Sequence, residues 1–290
     1  MLSPRELRCR IKSITSTAQI TRAMEMVAAS KMRKAQQNAL KTRPFALLLY
    51  RIQRHSTTHA REFTHPLLEV REVRKRAVIL IGTDKGLCGA LNTNLFRLAA
   101  EFNPATTVFI TVGKRAAQFI ARTRRQLAAE FTFTDSPRFA EARPIAKFAR
   151  DLFLNGEVDE VKIVGTVFVN TMTQQANVWE FLPIGEITTI KVPGAESEAD
   201  LASDTTEVLF EPSPEAVLSY LFEHYLNIFI YRILLEAKAS EQSARMVAMK
   251  NATDNASGLI NNLSLEYNTL RQGNITKELL EIAGGQLGNE

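Results

Sequence analysis

Between Leu221 and Leu270 apolar side chains recur at alternating spacings of four and three. The series runs Leu221, Tyr225, Ile228, Arg232, Leu235, Ala239, Gln242, Met246, Met249, Thr253, Ala256, Ile260, Leu263, Tyr267, Leu270, with only Arg232, Gln242 and Thr253 polar. An unbroken heptad repeat of this length is the signature of a coiled-coil seam. Pro212 and Pro214 precede it and no proline follows. At 1.5 Å per residue, a helix from about Pro214 to about Ala283 would be roughly 100 Å long. A compact domain of this chain's length has a radius of gyration of only about 19 Å. Such a helix cannot be contained in its own domain and must pack against something along its length.

The N-terminus carries a second long stripe. Ser3, Pro4 and Glu6 form a helix start: an N-cap, a first-turn proline and a capping-box acid. Leu7, Ile11, Ile14, Ala18, Thr21, Met24, Ala28, Met32, Ala35 and Ala39 then follow at a mean spacing near 3.6 residues, and only Thr21 is polar. The opposite face is basic, with Arg5, Arg8, Arg10, Lys12, Arg22, Lys31, Arg33 and Lys34. A helix over 3–58 is expected, kinked but not ended at Pro44, because Phe45–Ile52 resumes helical spacing. The small seam side chains let a partner helix approach closely. Either the two stripes pair antiparallel with each other, or each belongs to a helical bundle.

Charge is unevenly distributed. Residues 1–76 hold 17 Lys/Arg against 5 Asp/Glu, and the rest of the chain 19 against 26. A basic first segment calls for an acidic partner: nucleic acid, a membrane surface or an acidic protein. The basic residues lack interleaved aromatics and the remainder is acidic, which argues against nucleic acid. No apolar run approaches the ~18–20 residues that span a bilayer, and no secretory signal core is evident. Cys9 and Cys88 make no disulfide framework, and with four scattered histidines they give no metal-ligand spacing. A reducing compartment is expected.

The middle of the chain alternates strand and helix. Strands are expected at Ala77–Ile81, Thr106–Val112, Val161–Asn170 and Gln174–Leu182, the last antiparallel. Helices are expected at Ala90–Phe102, Lys114–Arg125 and Ala140–Leu154, the last ended by Asn155-Gly156. This is a βαβαβ unit with a mostly parallel sheet. The acidic stretch Gly194–Thr206 is read as the linker into the last helix. The turn after the first strand, Gly82-Thr-Asp-Lys-Gly86-Leu-Cys-Gly89, is glycine-rich where nucleotide phosphates often sit. Its spacing fits neither GxGxxG nor GxxxxGK[ST], and no acidic residue ends the second strand. The glycines read better as a tight turn and a close helix–sheet contact. Lys85 is suited to a surface contact rather than to work as a base. Cys88 has no histidine near it in sequence. No cofactor and no catalytic set is expected.

Three segments carry a family resemblance. Ile20-Thr-Arg-Ala-Met-Glu-Met-Val-Ala-Ala-Ser-Lys-Met-Arg-Lys-Ala35 resembles the N-terminal helix of the gamma subunit of F-type ATP synthases. Thr83-Asp-Lys-Gly-Leu-Cys-Gly-Ala-Leu-Asn92 resembles that family's signature turn. Ala244–Asn255 and Tyr267–Leu280 resemble its C-terminal helix. The match runs the length of the chain, although 101–203 agrees in layout alone.

The resemblance implies a mixed α+β and α/β fold. A long antiparallel two-helix coiled coil forms from the N-terminal (1–60) and C-terminal (208–286) helices, with a central Rossmann-like α/β domain (75–205). It implies a non-catalytic rotor shaft that couples proton translocation to ATP synthesis. Its partners would be the 3:3 ring of alpha and beta subunits, the epsilon subunit and the c-subunit ring. Membrane association would be peripheral, through the c-ring, on the cytoplasmic side of a bacterial inner membrane. By motif match the ring contacts would be Met24, Arg245, Arg271, Gln272, Thr276 and Glu278. Lys31, Arg33 and Lys85 are less specific candidates. Cys9 and Cys88 do not reproduce the closely spaced dithiol of chloroplast members.

Overall fold

A computed structural model of the protein describes residues 3–59, 65–184 and 214–286. The chain divides into two compact units, Met1–Ala28 with Arg245–Glu290, and Ala29–Ala244. Two long helices contribute to both: α1, Pro4–His59, and α5, Pro214–Gln286. α1 begins with the expected capping box, in which the Ser3 amide donates to the Glu6 carboxylate at 2.8 Å and the Glu6 amide donates to Ser3 Oγ at 3.3 Å. It continues unbroken past Pro44.

In the first unit the helices meet along the two seams. On α1, Leu7 and Ala28 are buried, and Ile11, Ile14, Ala18, Thr21 and Met24 are half-buried. On α5, Met249 is buried, and the seam positions from Thr253 to Leu270 are half-buried. Thr21 and Thr253, polar members of the two seams, meet hydroxyl to hydroxyl at 2.7 Å. Two polar groups inside an apolar seam thus satisfy each other, which removes the cost of burying either alone. Within this unit, the segment available to cover α5 beyond Thr253 is the one that precedes Thr21, so the pair is an antiparallel coiled coil. Cover ends where the heptads end: residues 271–280 are all exposed, including Leu279 at 61% and Leu280 at 67%.

The second unit is built on a five-stranded sheet. Its strands are β1 (Arg76–Ile81), β2 (Thr107–Val112), β3 (Gln126–Phe131), β4 (Glu160–Phe168) and β5 (Gln174–Leu182). Their order is β3-β2-β1-β4-β5. The first four run parallel and β5 pairs antiparallel with β4. The helices are α2 (Leu91–Ala100), α3 (Lys114–Arg122) and α4 (Phe139–Leu154), with a short 3-10 turn at Pro66–Leu68. Both faces of a parallel sheet must be covered, and alternate β1 residues divide between them. Ile79 and Ile81 join the face packed by Ile145 and Phe153 of α4 and by Leu226 and Ile230 of α5. Val78 and Leu80 join the face packed by Leu95 of α2 and Ile120 of α3. Each such side chain contributes roughly 1.5–3 kcal/mol on burial.

One strand was not expected from the sequence, and several element ends fall short of the expectation: α2 stops at Ala100, β4 at Phe168 and, by the widest margin, α3. β3 is an edge strand whose residues are mostly exposed, so it lacks the apolar run or alternation that marks a half-buried strand. α3 stops at Arg122 instead of running to Arg125, with Arg124 in the left-handed region at φ 52°. The reversal frees Arg125 to cap another helix: its guanidinium donates to the carbonyls of Ala99, Ala100 and Phe102 at 2.8–3.1 Å. These are orphan carbonyls at the end of α2, and a helical Arg125 could not be recognised in advance as their partner. The expected linker, Gly194–Thr206, lies outside the described residues.

Candidate partner-contact surface

The polar groups of the glycine-rich turn hold its own shape. Thr83 Oγ1 donates to the Lys85 carbonyl at 2.8 Å. The Asn92 side-chain amide donates to Thr83 Oγ1 at 2.8 Å and to Cys88 Sγ at 3.3 Å. Asp84 accepts from the backbone amide of Lys114 at 3.0 Å, placing a carboxylate where the start of α3 favours an anion. A Cβ on Gly82 would lie 3.1 Å from Ala116 Cβ, and one on Gly113 (φ 98°) would lie 2.6 Å from the Gly82 carbonyl oxygen. The glycines therefore set the approach of α3 to the sheet. Cys88, 2% exposed, packs with Leu91 against Ala244 of α5. Cys9 is exposed, and neither it nor Cys88 is part of a disulfide.

α5 is enclosed where it crosses this unit. Every residue from Ile233 to Ala244 is buried except the half-buried Glu236. Ile233 packs over Gly165 beside Trp179, and Ser243 Oγ donates to the Thr171 carbonyl at 2.8 Å. Lys238 and Glu241, each 3% exposed at the side chain, pair at 3.0 Å. Lys238 also reaches Asp135 at 3.0 Å and sits over the Phe133 ring. Asp135 accepts in turn from Lys31 of α1 at 2.6 Å. The loop after β3 thus ties α1 to α5 through one carboxylate. The hydrogen bonds from Lys31 and then Lys238 hold the Asp135 carboxyl well below the usual carboxylate range. Sequence reading placed Lys31 on a basic face. Its partner Asp135, and Lys238 on the other side of that carboxylate, leave no signal in the sequence, because they are far apart in the chain and belong to no motif.

The residues singled out by motif lie in both units. Lys31 is ion-paired and Arg33 exposed on α1, and Lys85 is exposed in the glycine-rich turn. Met24 is half-buried on the α1 seam. Arg245 is buried, 8% exposed. Arg271, Gln272, Thr276 and Glu278 are all exposed beyond the end of the seam. There Thr276 Oγ1 donates back to the Gln272 carbonyl at 3.0 Å. The structure therefore groups the last four on a bare helical surface and leaves the other residues elsewhere.

A family profile described as ATP synthase matches residues 3–287. The ATP synthase gamma chain of Opitutus terrae is 45% identical over 291 aligned positions, covering 99% of this chain and 98% of that protein. The chain belongs to the ATP synthase gamma chain family. The gamma chain of Methylacidiphilum infernorum is 43% identical, covering 99% of both proteins. Among solved structures, the central stalk and c-ring of Tetrahymena thermophila mitochondrial ATP synthase contains a similar chain. It superposes with a TM-score of 0.61 at 26% identity, over 80% of this chain and 99% of that one. The rotor of Euglena gracilis mitochondrial ATP synthase shares the fold, with a TM-score of 0.63 at 18% identity over 94% of this chain and 98% of that one.

Proposed function

We propose that this chain is the rotor shaft of an F-type ATP synthase, carrying torque between a proton-driven c-ring and the catalytic beta subunits, with no reactive centre of its own. The observation that carries this reading is the antiparallel coiled coil of α1 and α5, which outruns its own cover after Leu270. A two-helix rod is stiff and asymmetric, and rotation inside a threefold ring requires both properties. A rotor changes the state of a catalytic subunit only if it touches the alternative states differently. The exposed group Arg271, Gln272, Thr276 and Glu278 supplies the polar contacts to the alpha and beta subunits. Met24 and Arg245 are further contacts to the ring of alpha and beta subunits. Lys85 and the basic face carrying Arg33 and Lys31 add weak, replaceable contacts, about 0–1 kcal/mol for each exposed ion pair. The working parts are the helix of 1–60, the α/β domain of 75–205 and the helix of 208–286. The epsilon subunit and the c-ring meet the α/β domain, and the membrane association is peripheral, on the cytoplasmic face of a bacterial inner membrane. No helix among the described residues is long and apolar enough to cross a membrane. Affinity purification of the tagged chain from its native membrane tests the reading. Recovery of a stable 3:3:1 complex with two ATPase subunits is expected, and recovery of the chain alone would refute it.

A further inference from the structure

The α/β unit holds a second charged feature that the rotor reading does not use. Across an open cleft of about 280 Å³, α4 faces the first turns of α5. Arg143, Lys147 and Arg150 line the α4 side, and Glu223, Leu226 and Asn227 line the α5 side. The three basic residues are four and three apart, so they stand on one face of α4. Arg150 is the inner member, its side chain 19% exposed, and it pairs with Glu223 and, at 3.4 Å, with Asp151. Arg143 and Lys147 are exposed, and among the described residues neither makes an ion pair or a hydrogen bond.

We propose that this cleft binds a compact phosphate-bearing anion between Arg143, Lys147 and Arg150. Three cations against two carboxylates, Glu223 in the lining and Asp151 beside Arg150, leave the cleft positive. A guanidinium presents paired N–H groups that match phosphate oxygens, and an ammonium adds a point charge. Asn227 can contribute an amide donor, and the buried Leu226 and Ala146 form an apolar floor. The volume lies at the small end of ligand pockets, enough for a phosphate group with a short polar body. Glu223 is the built-in competitor: its carboxylate occupies the guanidinium that an incoming anion needs. The binding strength should therefore move in opposite directions when the cations and the carboxylate are removed.

The proposal is independent of the rotor reading, and the full-length chain tests it by calorimetry at constant ionic strength. Two probes are used, inorganic phosphate and vesicles containing an anionic phospholipid. Binding of at least one is expected. Arg143→Ala with Lys147→Ala should weaken it by about tenfold or more, the loss of two charge-assisted contacts. Glu223→Gln should tighten it. Competition by free phosphate against vesicles would identify a soluble anion as sufficient, and vesicle binding that phosphate does not displace would identify a lipid headgroup. Absence of binding to both probes, an unchanged affinity in the double variant, or weaker binding by Glu223→Gln would overturn it. The exposed residue Lys250, in the other unit, provides the control: Lys250→Ala should leave the affinity unchanged.

Discussion

Asp135 joins residues from three parts of the chain, and its loss should be felt at the pair it serves. Lys238 is buried and keeps Glu241, whereas Lys31 is half-exposed and would return to water. Asp135→Ala is therefore expected to cost only about 1 kcal/mol at neutral pH, since the removed carboxylate is itself half-exposed and screened. Because its carboxyl is held below the usual range in the folded chain, its contribution is complete above the unfolded value near 4. It disappears as pH falls through the folded value. Thermal melts should show the gap between wild type and variant narrowing below about pH 4, and a gap that widens there would count against the pairing. Gly113 poses a backbone question. At φ 98°, with the Gly82 carbonyl in the way of any Cβ, Gly113→Ala should destabilise the α/β unit by about 1–3 kcal/mol. A melting temperature equal to wild type would show that the turn can relax.

At the scale of elements, α5 is one helix with three environments. It caps a sheet face through Leu226 and Ile230, is enclosed from Ile233 to Ala244, and lies half-covered on a partner helix from Thr253 to Leu270. The heptad pattern anticipates only the last of these. A proline at Ala256 would fall in the paired stretch, removing a helical hydrogen bond and clashing with the preceding turn, at about 3 kcal/mol or more. Ala256→Pro should therefore lower helicity by circular dichroism and abolish ATP synthesis by the reconstituted complex. Normal synthesis would contradict a load-carrying rod. From Arg271 to Leu280 the helix has no cover among the described residues, so substitutions there should leave folding alone and alter contacts with other subunits. Arg271→Ala with Gln272→Leu is expected to leave assembly intact and lower the ATPase turnover of the complex. An unchanged turnover would remove these two residues from the contact surface.

At the scale of the whole molecule, membership of the gamma chain family rests on similarity along the full chain, and the sequence alone already pointed there. Seam spacing determined that α1 and α5 would be long helices with apolar stripes, because periodicity is a local property that survives without coordinates. The strand–helix alternation determined a mostly parallel sheet for the same reason: continuous apolar runs and helix stops are written in neighbouring residues. The edge strand β3 escaped because an exposed edge needs no apolar face. The capping role of Arg125, the Asp135 tie and the all-round burial of Lys238 and Glu241 were decided only by the tertiary structure. Each joins residues distant in sequence, and a charge that is solvated when read on its own helix becomes a buried pair only when another element closes over it. The cleft of Arg143, Lys147 and Arg150 belongs with these, since half of it is supplied by a helix that begins some sixty residues after α4 ends.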